Sequence, residues 1–170
     1  MDLKRYIRNI PDFPVKGIIF RDITPLLSSP EAFRKSIDLM AERIKKWDFD
    51  AIASPEARGF IFGSTLAYLL SKAFIPIRKP SKLPYKTVGI EYELEYGKAI
   101  LEMHEDALEH HRKVVIVDDV LATGGTVEAI SELLKKANGE VVGMAFLIEL
   151  TPLKARERLK NFQIESLITY

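Results

Sequence analysis

Val114-Val115-Ile116-Val117-Asp118-Asp119-Val120-Leu121-Ala122-Thr123-Gly124-Gly125-Thr126 is the stretch that decides the fold. Four branched apolar residues in a row read as a strand covered on both faces. Two adjacent carboxylates follow, where the strand is expected to leave the core. A turn of small residues comes next, then a helix from Gly125 to Ala137 whose inner face carries Val127, Ile130, Leu133, Leu134 and Ala137. In open α/β sheets ligands bind at the carboxyl ends of the strands. Two glycines let backbone amides approach an anion closely, and the helix start adds unpaired N–H groups at a positive dipole end. Thr123 and Thr126 add hydroxyl donors. The acids repel a phosphate and, once ionised, only accept hydrogen bonds. They suit sugar hydroxyls or a cation-bridged ligand. The segment therefore points to a sugar phosphate.

Working outward, strand-like runs alternate with helical periodicity. Ala51–Ala53, Phe74–Ile77, Val141–Leu150 and Ile164–Ile168 read as strands. Ser29-Pro30-Glu31 is a helix start, with a capping serine, a first-turn proline and an acid near the positive end. Phe33, Ile37, Met40, Ile44 and Trp47 then form one apolar stripe. The helix after Gly59 is apolar on most sides and is expected to be buried. Residues 3 to 8 suit a short basic helix, 10 to 28 an ordered loop with short extended pieces, 79 to 87 a basic loop, and 88 to 103 a hairpin or extended flap. Strand, helix, strand in succession implies parallel pairing with right-handed crossovers. The expected class is α/β: one domain over residues 1–170, with a central, mostly parallel sheet flanked by helices.

Composition narrows the function. The chain has 170 residues and no cysteine, and 25 basic against 24 acidic residues leave a net charge of +1. A disulfide framework and a thiolate zinc site are excluded, and a reducing compartment is the natural reading. The charge balance supplies no general drive toward nucleic acid or anionic membrane, so phosphate chemistry must come from a local site. No run has the length of a transmembrane helix, and Met1–Tyr6 carry no apolar signal-peptide stretch. The expectation is a cytoplasmic protein. His104, His110 and His111 gain no role from the pattern.

The strand, acidic pair and Ala122-Thr123-Gly124-Gly125-Thr126 turn resemble the phosphoribosyl pyrophosphate (PRPP) signature of type I phosphoribosyltransferases. The resemblance implies that family's fold, including a small hood or flap. It places Asp118 and Asp119 near the ribose hydroxyls and Ala122, Thr123, Gly124, Gly125 and Thr126 around the 5′-phosphate. Four further segments are similar to the adenine-using branch of the family. Pro11-Asp12-Phe13-Pro14 with Gly17-Ile18-Ile19-Phe20-Arg21-Asp22 resembles its base-binding segment (10–28). There the likeness implies Phe20 against one face of adenine, Val120 or its neighbour opposite, and backbone groups near Ile19 and Arg21 on the base edge. Glu56-Ala57-Arg58-Gly59-Phe60 resembles its pyrophosphate loop, and Arg78-Lys79-Pro80-Ser81-Lys82 its basic loop. The likeness thus implies Arg58, Arg78, Lys79 and Lys82 as pyrophosphate ligands. Leu94-Glu95-Tyr96-Gly97-Lys98 resembles its mobile flap (about 85–100), with Glu95 in proton transfer and Tyr96 closing the flap. On residue pattern alone Glu91, Glu93 and Glu95 fit an exposed strand face equally well.

The resemblance implies purine salvage: adenine and PRPP as substrates, AMP and pyrophosphate as products, Mg²⁺ as cofactor with ligands unassigned, and a homodimer. It implies no nucleic acid and no membrane partner. Two departures stand out: Lys16 where many relatives have proline, and Ser81 where many have glycine. A phosphoribosyltransferase for hypoxanthine or xanthine, and a non-catalytic regulator of the same fold, are the competing readings.

Overall fold

The computed structural model describes residues 1–170. They form two compact units, Met1–Leu39 and Met40–Tyr170.

The first unit opens on a 3₁₀ turn at Leu3–Tyr6, where the Asp2 carboxylate accepts from the Lys4 N–H. An antiparallel hairpin follows, β1 (Arg8–Pro11) with β2 (Ile19–Asp22). Its loop is closed by Asp12 Oδ1, which accepts from Gly17 N at 2.7 Å. Gly17 has φ +89°, a conformation open to glycine and strained for most residues. Phe13 and Phe20 meet edge to face at 5.2 Å. The extended pieces expected within 10–28 are thus a hairpin. A four-residue helix, α1 (Thr24–Leu27), was not expected, because one turn is too short to show a period. Next is α2 (Pro30–Ile44), where Ser29 Oγ accepts from Ala32 N at 3.2 Å as the capping pattern predicts. Its chain crosses from the first unit into the second.

The second unit is built on five parallel strands, β3 (Ala51–Pro55), β4 (Ala73–Ile77), β7 (Lys113–Leu121), β8 (Glu140–Glu149) and β9 (Ile164–Thr169). Their spatial order is β4-β3-β7-β8-β9. The hairpin of β5 (Thr87–Glu93) and β6 (Lys98–His104) branches from the β4 side, where Arg78 and Glu102 exchange backbone hydrogen bonds of 2.9 and 2.7 Å. One core joins Ala53, Val114, Ile116, Met144 and Phe146 of the sheet to Ile130 and Leu133 of α4 (Gly125–Lys136) and to Leu101 and Met103 of the hairpin. Each large apolar side chain fully buried there contributes about 1.5–3 kcal/mol.

The other face of β3 receives α3 (Arg58–Leu70), whose Gly63 lies directly on Ser54. The alternation of β3 explains this, since Ala51 and Ala53 face one layer and Ile52 and Ser54 the other. Two expectations need correction. α3 is buried only along Gly59, Phe62, Gly63, Leu66 and Ala67, while Tyr68 and Leu69 are exposed. β7 does not end before the acids: Asp118 pairs in register with Phe146, and the strand runs on to Leu121. Pairing with β8 overrides the poor strand propensity of aspartate. No helix is long and apolar enough to cross a membrane.

Candidate active site

The turn after β7 is held open by its own backbone. Gly124 adopts φ +87° at the helix boundary, and no side chain caps α4. The first N–H groups of that helix therefore have no side-chain acceptor. The helix start borders a recess of about 80 Å³ whose lining includes Asp118, Val120, Ala122, Thr123, Gly125 and Thr126. An uncapped helix start with a concave glycine turn suits a tetrahedral anion.

Asp119 is 4 % exposed, and its Oδ2 lies 2.9 Å from Arg58 Nε. Asp118 Oδ1 accepts the Asp119 N–H at 2.8 Å. Burial, and then the neighbouring Asp119 charge, pushes the Asp118 carboxyl well above the usual aspartate range. The start of α3 closes over this pair. A methyl group at Gly59 would stand 2.8 Å from Asp118 Oδ1 and 3.1 Å from the Pro55 ring, so only glycine fits there.

Glu56 organises the loops beside Arg58. Its Oε1 accepts from Lys79 N at 2.9 Å and from Arg78 Nε at 3.1 Å. The Lys79 N–H is the main cause, and the Arg78 guanidinium a further one, that holds the Glu56 carboxyl below its ordinary range. The Glu56–Ala57 peptide is cis. Of the four basic residues expected here, Arg58 and Arg78 are thus already ion-paired, whereas Lys79 and Lys82 point to solvent. Ser81, the departure noted in the basic loop, sits at φ +66°, where glycine is less strained.

Glu95 and Tyr96 lie in the tight turn between β5 and β6, closed by Leu94 N donating to Gly97 O at 2.9 Å. Both are exposed, and neither lines the recess. Glu91 pairs with Lys98 on the exposed hairpin face, so Glu91 and Glu95 have different surroundings despite their regular spacing. Ile19, Phe20 and Arg21 lie on β2 in the first unit, with Ile19 exposed and the other two partly buried. No three His, Asp or Glu side chains converge, so His104, His110 and His111 form no such cluster.

Sequence reading missed α5 (Ala155–Arg158), which follows a 3₁₀ turn at Thr151–Leu153. A Cβ at Gly124 would stand 3.3 Å from Ala155 Cβ and 3.2 Å from Leu159 Cδ1, so α5 backs the glycine turn. It is clamped by Arg156, which donates to both oxygens of the buried Glu149 at 2.8 Å each, and Ser166 Oγ donates to Oε2 at 2.6 Å. The Arg156 hydrogen bonds, then Ser166, hold the Glu149 carboxyl below its ordinary range. Replacing Arg156 by Met leaves that carboxylate buried without its main partner. The expected loss is roughly 2 kcal/mol in urea unfolding at neutral pH, at the low end because Arg156 is half-exposed. A depressed folded pKa stabilises above the unfolded value and ceases to do so as pH falls through the folded one. The gap between the wild type and Arg156→Met should therefore shrink on acidification below the ordinary glutamate range.

Comparison with known proteins agrees with this geometry. A model of the phosphoribosyl transferase domain matches residues 22–165, and the chain belongs to that family. The adenine phosphoribosyltransferase of Petrotoga mobilis is 62% identical over 170 residues, spanning 100% of this chain and 98% of that one. The crystal structure of adenine phosphoribosyltransferase from Thermoanaerobacter pseudethanolicus superposes with a TM-score of 0.95 at 53% identity, covering 99% and 98% of the two chains. APRTase from Giardia lamblia complexed with 9-deazaadenine gives 0.92 at 33% identity, covering 99% and 96%. Within the phosphoribosyl transferase family, the chain stands among the adenine phosphoribosyltransferases.

Proposed function

We infer that the chain transfers the 5-phosphoribosyl group from PRPP to adenine, giving AMP and pyrophosphate. The observation that carries the reading is the uncapped, glycine-lined recess at the end of β7, beside the half-buried Asp118 and the buried Asp119, in a chain with full-length likeness to adenine phosphoribosyltransferases.

In this reading Ala122–Thr126 bind the 5′-phosphate through backbone N–H groups and the Thr123 and Thr126 hydroxyls. Asp118 and Asp119 accept from the ribose hydroxyls and fix the sugar in line for attack. Arg58, Arg78, Lys79 and Lys82 balance the charge of the departing pyrophosphate. Glu56 orients Arg78 and the Lys79 backbone for that task. Ile19, Phe20, Arg21 and Val120 are assigned to adenine on the family likeness, as are Glu95 to proton transfer with the purine and Tyr96 to closure of the hairpin tip over the substrates. Closure matters because water competes for the activated sugar.

Mg²⁺ fits the donor set in one form. With no cluster of three protein ligands, it would be held by one or both of Asp118 and Asp119 together with substrate oxygens, as is usual for Mg²⁺. It would supply charge neutralisation of the leaving group. A cytoplasmic homodimer belongs to the same proposal on the family likeness. The exposed Tyr68 and Leu69 on α3 provide apolar surface of the kind interfaces use, and sedimentation velocity checks it.

A coupled assay for AMP, with adenine or hypoxanthine and with or without Mg²⁺, tests the function. Adenine should be strongly preferred, and turnover should require the metal. Thr123→Ala should raise the KM for PRPP about tenfold, the effect of one hydrogen bond to a charged group at the low end, with the KM for adenine unchanged. Preference for hypoxanthine, or no turnover of either base, would refute the assignment.

A further inference from the structure

Arg158 is a charged side chain that the fold carries to the glycine turn from outside the signature. Its Nη1 lies 2.9 Å from the point where a Cβ on Gly125 would stand, at the first residue of α4. Its Nε is 3.5 Å from Glu128 Oε2, and both side chains are nearly half-exposed, so this pair contributes little. The position is electrostatically unusual. A helix start carries positive partial charge and favours anions, and a cation placed there is repelled. Yet the guanidinium is brought there by a rigid support. Ala155 and Leu159, on either side of it in sequence, are buried against Gly124, and Arg156 locks the helix to Glu149. A guanidinium and a helix start that converge on one glycine turn are together stabilised by a dianion, and Arg matches phosphate oxygens with paired donors.

We propose that Arg158 is a substrate-binding residue that leaves Glu128 and closes the phosphate recess over the 5′-phosphate of PRPP and AMP. The proposal rests on the reading that Ala122–Thr126 hold that phosphate. Arg158 acts on ligands that carry the phosphate monoester and is indifferent to free adenine. Glu128 is the acid that Arg158 faces in this structure, so removing Glu128 frees the guanidinium.

The test is isothermal titration of the full-length protein with AMP, together with the KM values for PRPP and adenine, for wild type, R158Q, R158K, E128Q and T123A. R158Q should weaken AMP binding and raise the KM for PRPP by about tenfold, the order expected for a lost charge-assisted contact. The KM for adenine and the Tm should stay as in wild type. R158K should recover part of the loss, because charge returns without the paired donors, and E128Q should bind AMP at least as tightly as wild type. If T123A weakens AMP binding while R158Q leaves it unchanged, the role of Arg158 is overturned and the phosphate turn stands. If neither variant changes AMP binding, the phosphate turn itself is wrongly assigned. Equal losses in R158Q and R158K with a lowered Tm would also overturn the proposal, by showing a structural role alone.

Discussion

Asp118→Asn is expected to make the protein more stable and almost inactive. The folded chain holds this carboxyl in a site that disfavours its charge, first through burial and then through the adjacent Asp119. A raised folded pKa means that the folded state binds more protons than the unfolded chain at pH values between the ordinary aspartate range and the raised value. Stability therefore falls as pH rises through that interval. Asparagine keeps an oxygen for the Asp119 N–H, now accepted by Asp118 Oδ1 at 2.8 Å, and removes the charge. The gain should be about 1 kcal/mol, or roughly 3 °C in Tm for a chain of this size. It should be present at neutral pH, grow as pH rises from the ordinary aspartate range toward the raised folded value, and vanish below the ordinary aspartate range, where the wild-type group is protonated in both states. Activity should move the other way. A neutral amide is a weaker acceptor for ribose hydroxyls and a poor partner for Mg²⁺, so kcat/KM for PRPP should drop about 100-fold. Thermal melts from pH 4 to 8, beside steady-state kinetics, give both readouts. An unchanged Tm at neutral pH would show that the pair is not held against its charge, and an unchanged kcat/KM would remove Asp118 from the ribose site.

That trade-off also marks where sequence reading succeeds and where it stops. The run Val114–Val117, the acids and the Gly-Gly turn were enough to place a strand, a recess and a helix in order, because each signal is local. The stripe on α2 and the hairpin of residues 87–104 were legible for the same reason. The acids themselves were misplaced, since in-register pairing of Asp118 with Phe146 is a contact between distant segments. α5 was illegible: Ala155-Arg156-Glu157-Arg158 has no apolar period, and its helix exists because Arg156 finds Glu149 seven residues earlier. Glu56 stood inside a recognised segment yet gained no role, for its work depends on Arg78 and Lys79 lying across the β3–β4 pair. α3, apolar on most sides, was read as buried because composition counts Leu69 as apolar without saying which way it faces.

The glycine spacing of α3 leads to the second large effect, which concerns the fold. Gly59 and Gly63 are four residues apart and so lie on one face of the helix. A Cβ on Gly63 would run into Ser54 Oγ, and it would stand 2.9 Å from Ser54 Cβ and 3.0 Å from Phe74 Cε2. Two terms oppose each other in Gly63→Ala. Helix propensity favours alanine by about 1 kcal/mol. Forcing a methyl group into a closed contact costs about 1–3 kcal/mol or more, and the upper end applies because Ser54 Cβ is anchored to a central strand and cannot swing away. The clash wins, with an expected net loss of about 2 kcal/mol and a Tm lower by roughly 6 °C. Ser54 offers a direct check on the cause. Its hydroxyl is fully buried and makes no hydrogen bond, so Ser54→Ala alone should be neutral or mildly stabilising. In the double variant the alanine methyl at position 63 enters the space the hydroxyl leaves, and a favourable coupling of about 1 kcal/mol should appear in the double-mutant cycle. Activity should follow the same pattern, because lifting α3 from β3 draws Arg58 away from Asp119 and opens the roof that Gly59 forms over Asp118. Strict additivity of the two substitutions would mean that the close approach of α3 to β3 at Ser54 is not what makes glycine necessary at position 63.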